Sequence, residues 1–183
     1  MIDSPSGRPL DRHQARPLAE LPAATLATVA GVMTDIDDTL TRDGAIEPQA
    51  LQALHDLHRA GLPVVAITGR PAGWSEAFAM TWPVRAIVAE NGAVALLNDG
   101  GALRVEFAQD AATRARNALL LRDMAARILR EVPGATLAQD SAGRLTDIAV
   151  DHSEFTHLGA DAIAHVVALM REGGMTATVS SIH

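Results

Sequence analysis

Three short apolar segments, with room for a helix between each pair, constrain the fold of this chain more than any other feature. They predict strands at Val29–Met33, Leu62–Ile67 and Ala86–Ala89. Continuous apolar character is typical of strands buried on both faces, and the helical segments between them imply right-handed βαβ units. We therefore expect an α/β fold with a Rossmann-like parallel sheet as its core.

The segment between the first two strands predicts an amphipathic helix. It begins at Pro48, since proline is favoured at the first helical position, and ends before Gly61, since glycine often terminates a helix. Its apolar residues recur with helical spacing on one face, at Ala50, Leu51, Leu54, Leu57 and Ala60. A shorter helix is predicted around Ser75–Met80.

Polar residues follow two of these strands. Asp35-Ile36-Asp37-Asp38-Thr39 comes after the first strand, and Thr68-Gly69-Arg70 comes after the second. Because ligands bind beyond the carboxyl ends of parallel strands, we interpret both segments as one site. In an extended chain, Asp35 and Asp37 converge on one point and Asp38 faces away.

The carboxylates themselves indicate the chemistry of this site. Three negative charges within four residues repel one another, so an ordinary turn or a helix N-cap gains little from them. Mg²⁺ prefers oxygen ligands, offsets this repulsion and brings an anionic substrate to an anionic site. A carboxylate can also attack phosphorus and form an aspartyl-phosphate. The cluster therefore favours magnesium-dependent phosphoryl chemistry.

Both motifs resemble those of the haloacid-dehalogenase superfamily of phosphohydrolases. The residues from Asp35 to Thr39 look like the DxDxT motif, and Ala66–Arg70 looks like the second motif, an apolar strand ending in Thr or Ser. The resemblance implies that Asp35 is the nucleophile and Asp37 the general acid/base. It also implies that Asp35 and the backbone carbonyl of Asp37 bind Mg²⁺.

The resemblance assigns the substrate-binding residues as well. The hydroxyl of Thr68 and the backbone amide of Gly69 are expected to hold the phosphoryl oxygens, which places preorganised donors where charge lies in the transition state. Arg70 completes the second motif and is assigned to the substrate site. Asn91 is a further substrate contact, although a hinge or a tight turn explains Asn91-Gly92 equally well.

The pattern changes after residue 92. A hairpin is predicted first, and helices and short strands follow it, at Ala93–Leu97, Ala102–Phe107, Ala111–Val132, Ala135–Gln139, Leu145–Val150, Gly159–Glu172 and Met175–Ile182. Hairpins mixed with helices predict a separate α+β module. We expect a lead-in at 1–24, the N-terminal part of the core at 25–92 and an α+β cap at 93–183.

Residues at and after the start of the predicted cap narrow the resemblance to one branch of the superfamily. Val88–Val94 is similar to the start of a type-2 (C2B-like) cap, and Thr68–Trp74 and Val179–His183 resemble the branch that contains sucrose-, trehalose- and mannosylglycerate-phosphate phosphatases. This implies a small phosphorylated substrate, a sugar phosphate. A phosphomannomutase-type phosphotransferase shares the aspartyl nucleophile and a similar cap, and it stays open as an alternative.

The family's later motifs are expected outside this sequence. The resemblance implies a third motif, a Lys or an Arg, and an acidic fourth motif, both after the cap. The chain contains no lysine, and its last residue, His183, falls within the predicted cap. We therefore expect an incomplete core sheet, and self-association or a C-terminal partner chain. A non-catalytic fragment stays open, whereas a response-regulator receiver fits poorly, because Thr68 and Glu90-Asn91 end the later strands.

Composition excludes several classes of function. A content of 48% hydrophobic residues is typical of a globular protein, and the net charge of −7 argues against nucleic acid as a partner. No apolar run approaches the ~20 residues that span a bilayer, so we expect no membrane partner and a cytoplasmic protein.

Other polar side chains have weaker interpretations. His55 and His58 are expected on an exposed helix face. Solvated loops and strand ends explain Asp147, Asp151, His152 and His157 better than a second metal site does. Candidate sugar contacts on the cap are Arg144, Ser180 and Ser181.

Overall fold

The computed structural model describes residues 17–180 and divides the chain into two compact units, 1–30 and 31–183. In the first unit, the described residues form a 3-10 turn at Leu18–Glu20 and the short helix α1 (Ala23–Leu26), neither of which has a buried residue. Residues 1–16 of the predicted lead-in lie outside the described residues.

The second unit begins with alternating strands and helices. In chain order, its elements are β1 (Val32–Asp35), β2 (Thr41–Arg42), β3 (Ala45–Ile46), α2 (Pro48–Arg59), β4 (Val64–Ile67), α3 (Ala72–Thr81), β5 (Ala86–Ala89), β6 (Val94–Asp99), β7 (Ala102–Phe107), α4 (Ala111–Glu131), β8 (Thr136–Leu137), β9 (Val150–Asp151) and α5 (Ala160–Glu172). The three predicted core strands and both predicted core helices are present, but the first strand runs at Val32–Asp35 and not at the predicted Val29–Met33. No described helix has the length and apolarity that crossing a membrane requires.

Five strands form one sheet in the order β1-β4-β5-β6-β7. The first three are parallel, and their register pairs Asp35 with Ile67 and Ile67 with Val88. Helices α2 and α3 connect these strands as crossovers. This arrangement confirms the predicted α/β fold with a parallel core. Among the described residues β1 pairs only with β4, so β1 lies at an edge of the sheet.

The hairpin of β6 and β7 differs from its predicted place. The sequence assigned it to the cap, but β6 pairs antiparallel with β5 and therefore continues the core sheet. The 3-10 turn Glu90–Gly92 reverses the chain tightly, with Asn91 at a φ of 55° and a ψ of 33°, so β6 returns alongside β5. The division of the chain at residue 92 stays a prediction.

One face of the sheet carries the main core. Val64, Ala66 and Ile87 alternate onto this face and are at most 1% exposed. They cluster with Leu54 of α2 and Trp82, the residue after α3. On the opposite face, Met33 is 77% exposed and Ile67 is 37% exposed. The described residues thus cover one face of the sheet well and leave the β1 end of the other face open.

A second hydrophobic cluster unites the elements that follow the hairpin. Buried side chains from α4 and α5 meet β9 there, at Met124, Ile128, Val132, Ala135, Val150, Val166 and Leu169. The predicted helices of this region are confirmed, α4 at Ala111–Glu131 and α5 at Ala160–Glu172. A separate cluster of this kind is consistent with an α+β module after the sheet.

Two predicted cap strands are wrong in part. The strand expected at Leu145–Val150 is confined to β9, because the backbone N–H groups of Leu145 and Thr146 donate to a side chain of the core instead of a neighbouring strand. The strand expected at Met175–Ile182 does not form in its described part, up to residue 180, since that segment joins none of the sheets. Residues 181–183 lie outside the described residues.

Candidate functional site

The two polar motifs meet at one edge of the sheet. β1 ends at Asp35 and β4 ends one residue before Thr68, so the parallel register places the motifs side by side. The hydroxyl of Thr68, a residue only 2% exposed, donates to Oδ2 of Asp37 at 3.2 Å. This contact joins positions 31 residues apart in the chain.

A tight turn after β1 presents the carboxylates. Ile36 is fully buried, and its carbonyl accepts the backbone N–H groups of Thr39, Leu40 and Thr41 at 2.9 to 3.2 Å. The hydroxyl of Thr39 donates to Oδ2 of Asp35 at 3.4 Å. The chain therefore leaves the extended conformation directly after the strand.

This turn corrects the expected direction of Asp38. With a φ of 56°, Asp38 breaks the alternation of side chains that an extended chain has. Asp38 consequently lines the same cavity as Asp35 and Asp37, whereas the sequence placed it on the far side. All three carboxylates of the motif face one space.

Arg70 connects the general acid/base candidate to Asp140 and Glu154, which lie within the predicted cap. Its Nε donates to Oδ1 of Asp37 at 3.2 Å, and its NH1 lies 3.6 Å from Asp140 and 3.5 Å from Glu154. The guanidinium also lies over Trp74, 5.8 Å from the ring centroid. Partial burial acts to lower the pKa of Arg70, but Asp37, Glu154 and Asp140 outweigh it and the pKa is raised. Arg70 thus remains cationic.

The side chain of Arg144 makes structural contacts within the protein and is not free to bind a substrate. Its side chain is only 3% exposed. It donates to both carboxylate oxygens of Asp147 at 2.9 and 3.1 Å, to Asp140 at 3.3 Å and to the carbonyl of Gly69 at 3.2 Å. The guanidinium predicted as a sugar contact is therefore already hydrogen-bonded within the protein. Ser180 lines the cavity, and Ser181 lies outside the described residues.

Asp147 is a cavity residue that the sequence did not place at this site. Burial raises its pKa, although hydrogen bonds and the charge of Arg144 oppose the shift. Nδ2 of Asn91 approaches its Oδ2 at 3.5 Å. Its contact with Arg144 is local, but its place at this site depends on Asn91, which lies 56 positions earlier, so no local pattern signals it.

Gly69 and Asn91 approach closely. A Cβ atom on Gly69 would lie 3.1 Å from Oδ1 of Asn91, so a larger side chain would push this amide away. The backbone N–H of Asn91 donates to the carbonyl of Thr68 at 3.3 Å. The predicted site residue Asn91 therefore lies directly against the second motif.

A cavity of about 710 Å³ opens in front of these groups. The predicted site residues that line it are Asp35, Asp37, Gly69, Arg70 and Asn91. Thr68 does not line it, but its hydroxyl contacts Asp37. The cavity lining also includes apolar side chains of α5 and residues 176–180, of which Thr176, Thr178 and Ser180 are polar. The arrangement provides an acidic end that suits a metal-bound phosphoryl group and a separate space for the rest of a ligand.

The alternative of a second metal site gains no support from the described residues. Within 17–180, no group of three or more histidine, aspartate or glutamate side chains is arranged to hold an ion. His55 and His58 are both exposed, as expected. Asp151 is buried and not solvated, because backbone N–H groups of the next turn surround its carboxylate.

The donor atoms around Asp35 are oxygens, the type of ligand that Mg²⁺ prefers. This ion is often held by one or two protein oxygen ligands, with water and substrate phosphate completing its octahedron. The carboxylate of Asp35 and the backbone carbonyl of Asp37 are oxygen donors two residues apart at the cavity. Haloacid-dehalogenase enzymes generally use Mg²⁺.

The family follows from comparison with known proteins. The family model described as haloacid dehalogenase-like hydrolase matches residues 32–130, from β1 into α4. This is more than half of the chain, and the protein belongs to that family. No curated protein matches the chain.

The first two of three similar solved structures, with TM-scores of 0.62 and 0.50, share the fold. A protein of Thermoplasma acidophilum is 16% identical, with a TM-score of 0.62 over 84% of this chain and 62% of that one. An ATP-bound IMP-nucleotidase of Plasmodium falciparum is 9% identical, with a TM-score of 0.50 over 80% and 42%. A phosphatase of the haloalkanoate superfamily from Bacteroides thetaiotaomicron is 20% identical, with a TM-score of 0.44 over 83% and 51%. The chain spans less than two thirds of each.

Proposed function

We propose that this protein is a Mg²⁺-dependent phosphomonoester hydrolase that forms an aspartyl-phosphate on Asp35. One observation carries the proposal: Asp35 and Asp37 share a cavity with the second motif, and Asp37 is hydrogen-bonded to Thr68 and Arg70. Membership of a hydrolase family supports it.

The reaction proceeds in two displacements. The carboxylate of Asp35 attacks phosphorus, the bond to the leaving oxygen breaks, and Asp37 gives a proton to that oxygen. Asp37 then takes a proton from water, which attacks the aspartyl-phosphate and releases inorganic phosphate. The backbone N–H of Gly69 and the hydroxyl of Thr68 stabilise the equatorial oxygens.

Two groups must rearrange when a phosphate enters. Thr68 and Arg70 both donate to Asp37 in this structure. A phosphoryl group competes for the same donors, so binding releases Asp37 for proton transfer and draws Arg70 toward the substrate. The carboxylate of Asp35 and the backbone carbonyl of Asp37 would hold Mg²⁺, which would offset the repulsion between the anionic nucleophile and the phosphate.

The substrate proposed is a sugar phosphate, and the α+β cap of type 2 selects it. Asn91 and Asp147 offer an amide and a carboxylate beside the acidic end of the cavity, and both groups hydrogen-bond hydroxyls well. These groups support our proposal that the protein belongs to the sugar-phosphatase branch, and we propose the cytoplasm as its location.

The assignment of Asp35 is tested by Asp35→Asn in the full-length protein. The change is nearly isosteric but removes the nucleophilic charge, so phosphate release with Mg²⁺ should fall at least about a thousandfold. The phosphorylated protein, detected by mass spectrometry after rapid quenching in acid, should disappear as well.

A matched control is Asp43→Asn, which makes the same change in an exposed turn where asparagine suits the positive φ of 51°. It should leave phosphate release unchanged. Turnover by Asp35→Asn above a few per cent of the wild-type value would show that another group is the nucleophile. Transfer of the phosphoryl group to sugar without phosphate release would indicate the mutase instead.

A further inference from the structure

Glu90 is a buried carboxylate to which the proposed mechanism assigns no role. It is 2% exposed and follows β5, with a φ of 50° that is rare for a residue other than glycine. Its backbone N–H donates to the carbonyl of Arg70 at 3.0 Å. Such a conformation persists only where surrounding contacts hold it, which points to a specific task for this side chain.

Four donors from two distant parts of the chain converge on the Glu90 carboxylate. It accepts the backbone N–H groups of Ala72 at 3.0 Å, Leu145 at 2.9 Å and Thr146 at 2.7 Å. The hydroxyl of Thr146 donates to it too. One carboxylate therefore joins the start of α3 in the core to a segment of the cap 55 residues later.

Burial makes these contacts mutually dependent. A buried carboxylate is costly unless hydrogen bonds compensate it, and in the described part of the chain no arginine forms an ion pair with Glu90. Three of its four hydrogen bonds come from Leu145 and Thr146. If the cap segment moved away, the carboxylate would keep only the N–H of Ala72.

The two residues that flank Leu145 and Thr146 have side chains in the cavity lining. Arg144 and Asp147 lie on either side of Leu145 and Thr146, and both line the cavity. Arg144 contacts the carbonyl of Gly69 at 3.2 Å, and Asp147 lies 3.5 Å from the amide of Asn91. The position of both groups against the second motif thus depends on where Leu145 and Thr146 are held.

We propose that Glu90 is a positioning residue that seats residues 144–147 of the cap over the cavity. By fixing Asp147 beside Asn91, it sets the affinity for the part of the substrate beyond the phosphoryl group. The seating is a property of the free protein, whereas its effect on affinity rests on the proposed function.

The seating is tested without substrate by amide hydrogen exchange on the full-length protein. In Glu90→Gln, an NH₂ group replaces one acceptor oxygen, so hydrogen bonds from the cap segment are lost. Because a hydrogen bond to a charged group is stronger than one to a neutral group, exchange at Leu145 and Thr146 should accelerate about tenfold or more. Amides in the middle of β4, such as that of Ala66, should keep their exchange rates.

Two further variants serve as comparisons for Glu90→Gln. Thr146→Val removes the hydroxyl donor but keeps the backbone N–H, so its acceleration should be smaller than that of Glu90→Gln. Glu76→Gln makes the same chemical change at an exposed position of α3 and should alter nothing. Unchanged exchange at Leu145 and Thr146 in Glu90→Gln would overturn the proposal, and so would equal acceleration throughout β4, which indicates general destabilisation.

The effect on affinity is measured with two substrates. Glu90→Gln should raise KM about tenfold for a sugar phosphate while kcat changes less than about threefold, because the reacting groups stay in place. KM for acetyl phosphate, whose leaving group has no hydroxyl to donate to Asp147, should stay within about twofold. Equal losses for both substrates overturn the affinity role. If the wild-type protein hydrolyses neither, the proposed function fails, and the exchange experiment still decides the seating.

Discussion

The ionised carboxylate of Asp151 is stabilised by hydrogen bonds from the backbone of a single turn. Its carboxylate accepts N–H groups from Ser153, Glu154, Phe155 and Thr156 at 2.8 to 3.1 Å, and the residue is 1% exposed. Burial acts to raise its pKa, but the four donors outweigh burial and the pKa is lowered. The ionised carboxylate therefore stabilises the folded state, because it satisfies amides that would otherwise lack an acceptor.

This arrangement predicts an acid-dependent loss of stability. The folded-state pKa of Asp151 lies below the unfolded value of about 3.9, so its contribution is complete above that value and is lost as pH falls through the folded pKa. Asp151→Asn should lower the free energy of unfolding at pH 7 by about 2 kcal/mol, since its amide group cannot accept from two of the N–H groups. Urea unfolding at several pH values measures this.

The pH dependence separates charge from packing. The difference between wild type and Asp151→Asn should be largest at neutral pH and should narrow below about pH 4. The exposed change Asp43→Asn should leave the free energy of unfolding nearly unaltered at pH 7. A difference that stays constant between neutral pH and pH 3 would mean that the charge of Asp151 contributes nothing.

At the scale of elements, α2 shows how one side chain fixes a helix on the sheet. Leu54 is 2% exposed and belongs to the main core cluster, as the amphipathic pattern predicted. Leu54→Ala should lower the free energy of unfolding by about 2–5 kcal/mol, because it removes buried methyl groups and leaves a cavity. Leu119→Ala on α4, where leucine is 55% exposed, should have almost no effect. Equal losses at both positions in urea unfolding would contradict the assignment of α2's buried face.

Elements with local signals were predictable from the sequence. Helix α2 runs from Pro48 to Arg59, and Gly61 beyond it has a φ of 72°, so proline, the apolar stripe and glycine marked both ends correctly. The acidic turn and Thr68 were brought together correctly too, because both follow parallel strands. In each case the decisive interactions lie within a few residues or follow directly from strand order.

Elements shaped by distant partners were not predictable. Leu145 carries a strand-like pattern, yet its N–H donates to Glu90, and nothing near it in the sequence signals a carboxylate 55 positions earlier. The direction of Asp38 depends on a left-handed backbone conformation, which the alternation rule cannot anticipate. The hydrogen bonds from Leu145 and Thr146 to Glu90 therefore required the structure, although Glu90 lay within a motif that the sequence had singled out.

At the scale of the whole molecule, the sheet is covered unequally. β1 pairs on one side only within residues 17–180, and Met33 on its open face is 77% exposed. An unpaired apolar edge strand offers free backbone N–H and C=O groups to another strand. We therefore predict that this chain self-associates with rising concentration, and that a second copy of β1 is the partner strand.

Met33→Lys tests the edge contact by sedimentation velocity. A lysine on an edge strand disfavours pairing, so the variant should remain monomeric at concentrations where the wild-type chain associates. Either lysine change lowers the magnitude of the net charge from −7 to −6, which by itself weakens repulsion between copies and favours association. The matched control Leu120→Lys, at an α4 position that is 56% exposed, has the same net charge and should associate at least as strongly as the wild type. Because net charge and edge pairing act in opposite directions in Met33→Lys, a loss of association there would come from a contact at β1 and not from the change in net charge. Equal association of both variants would place the contact elsewhere on the molecule.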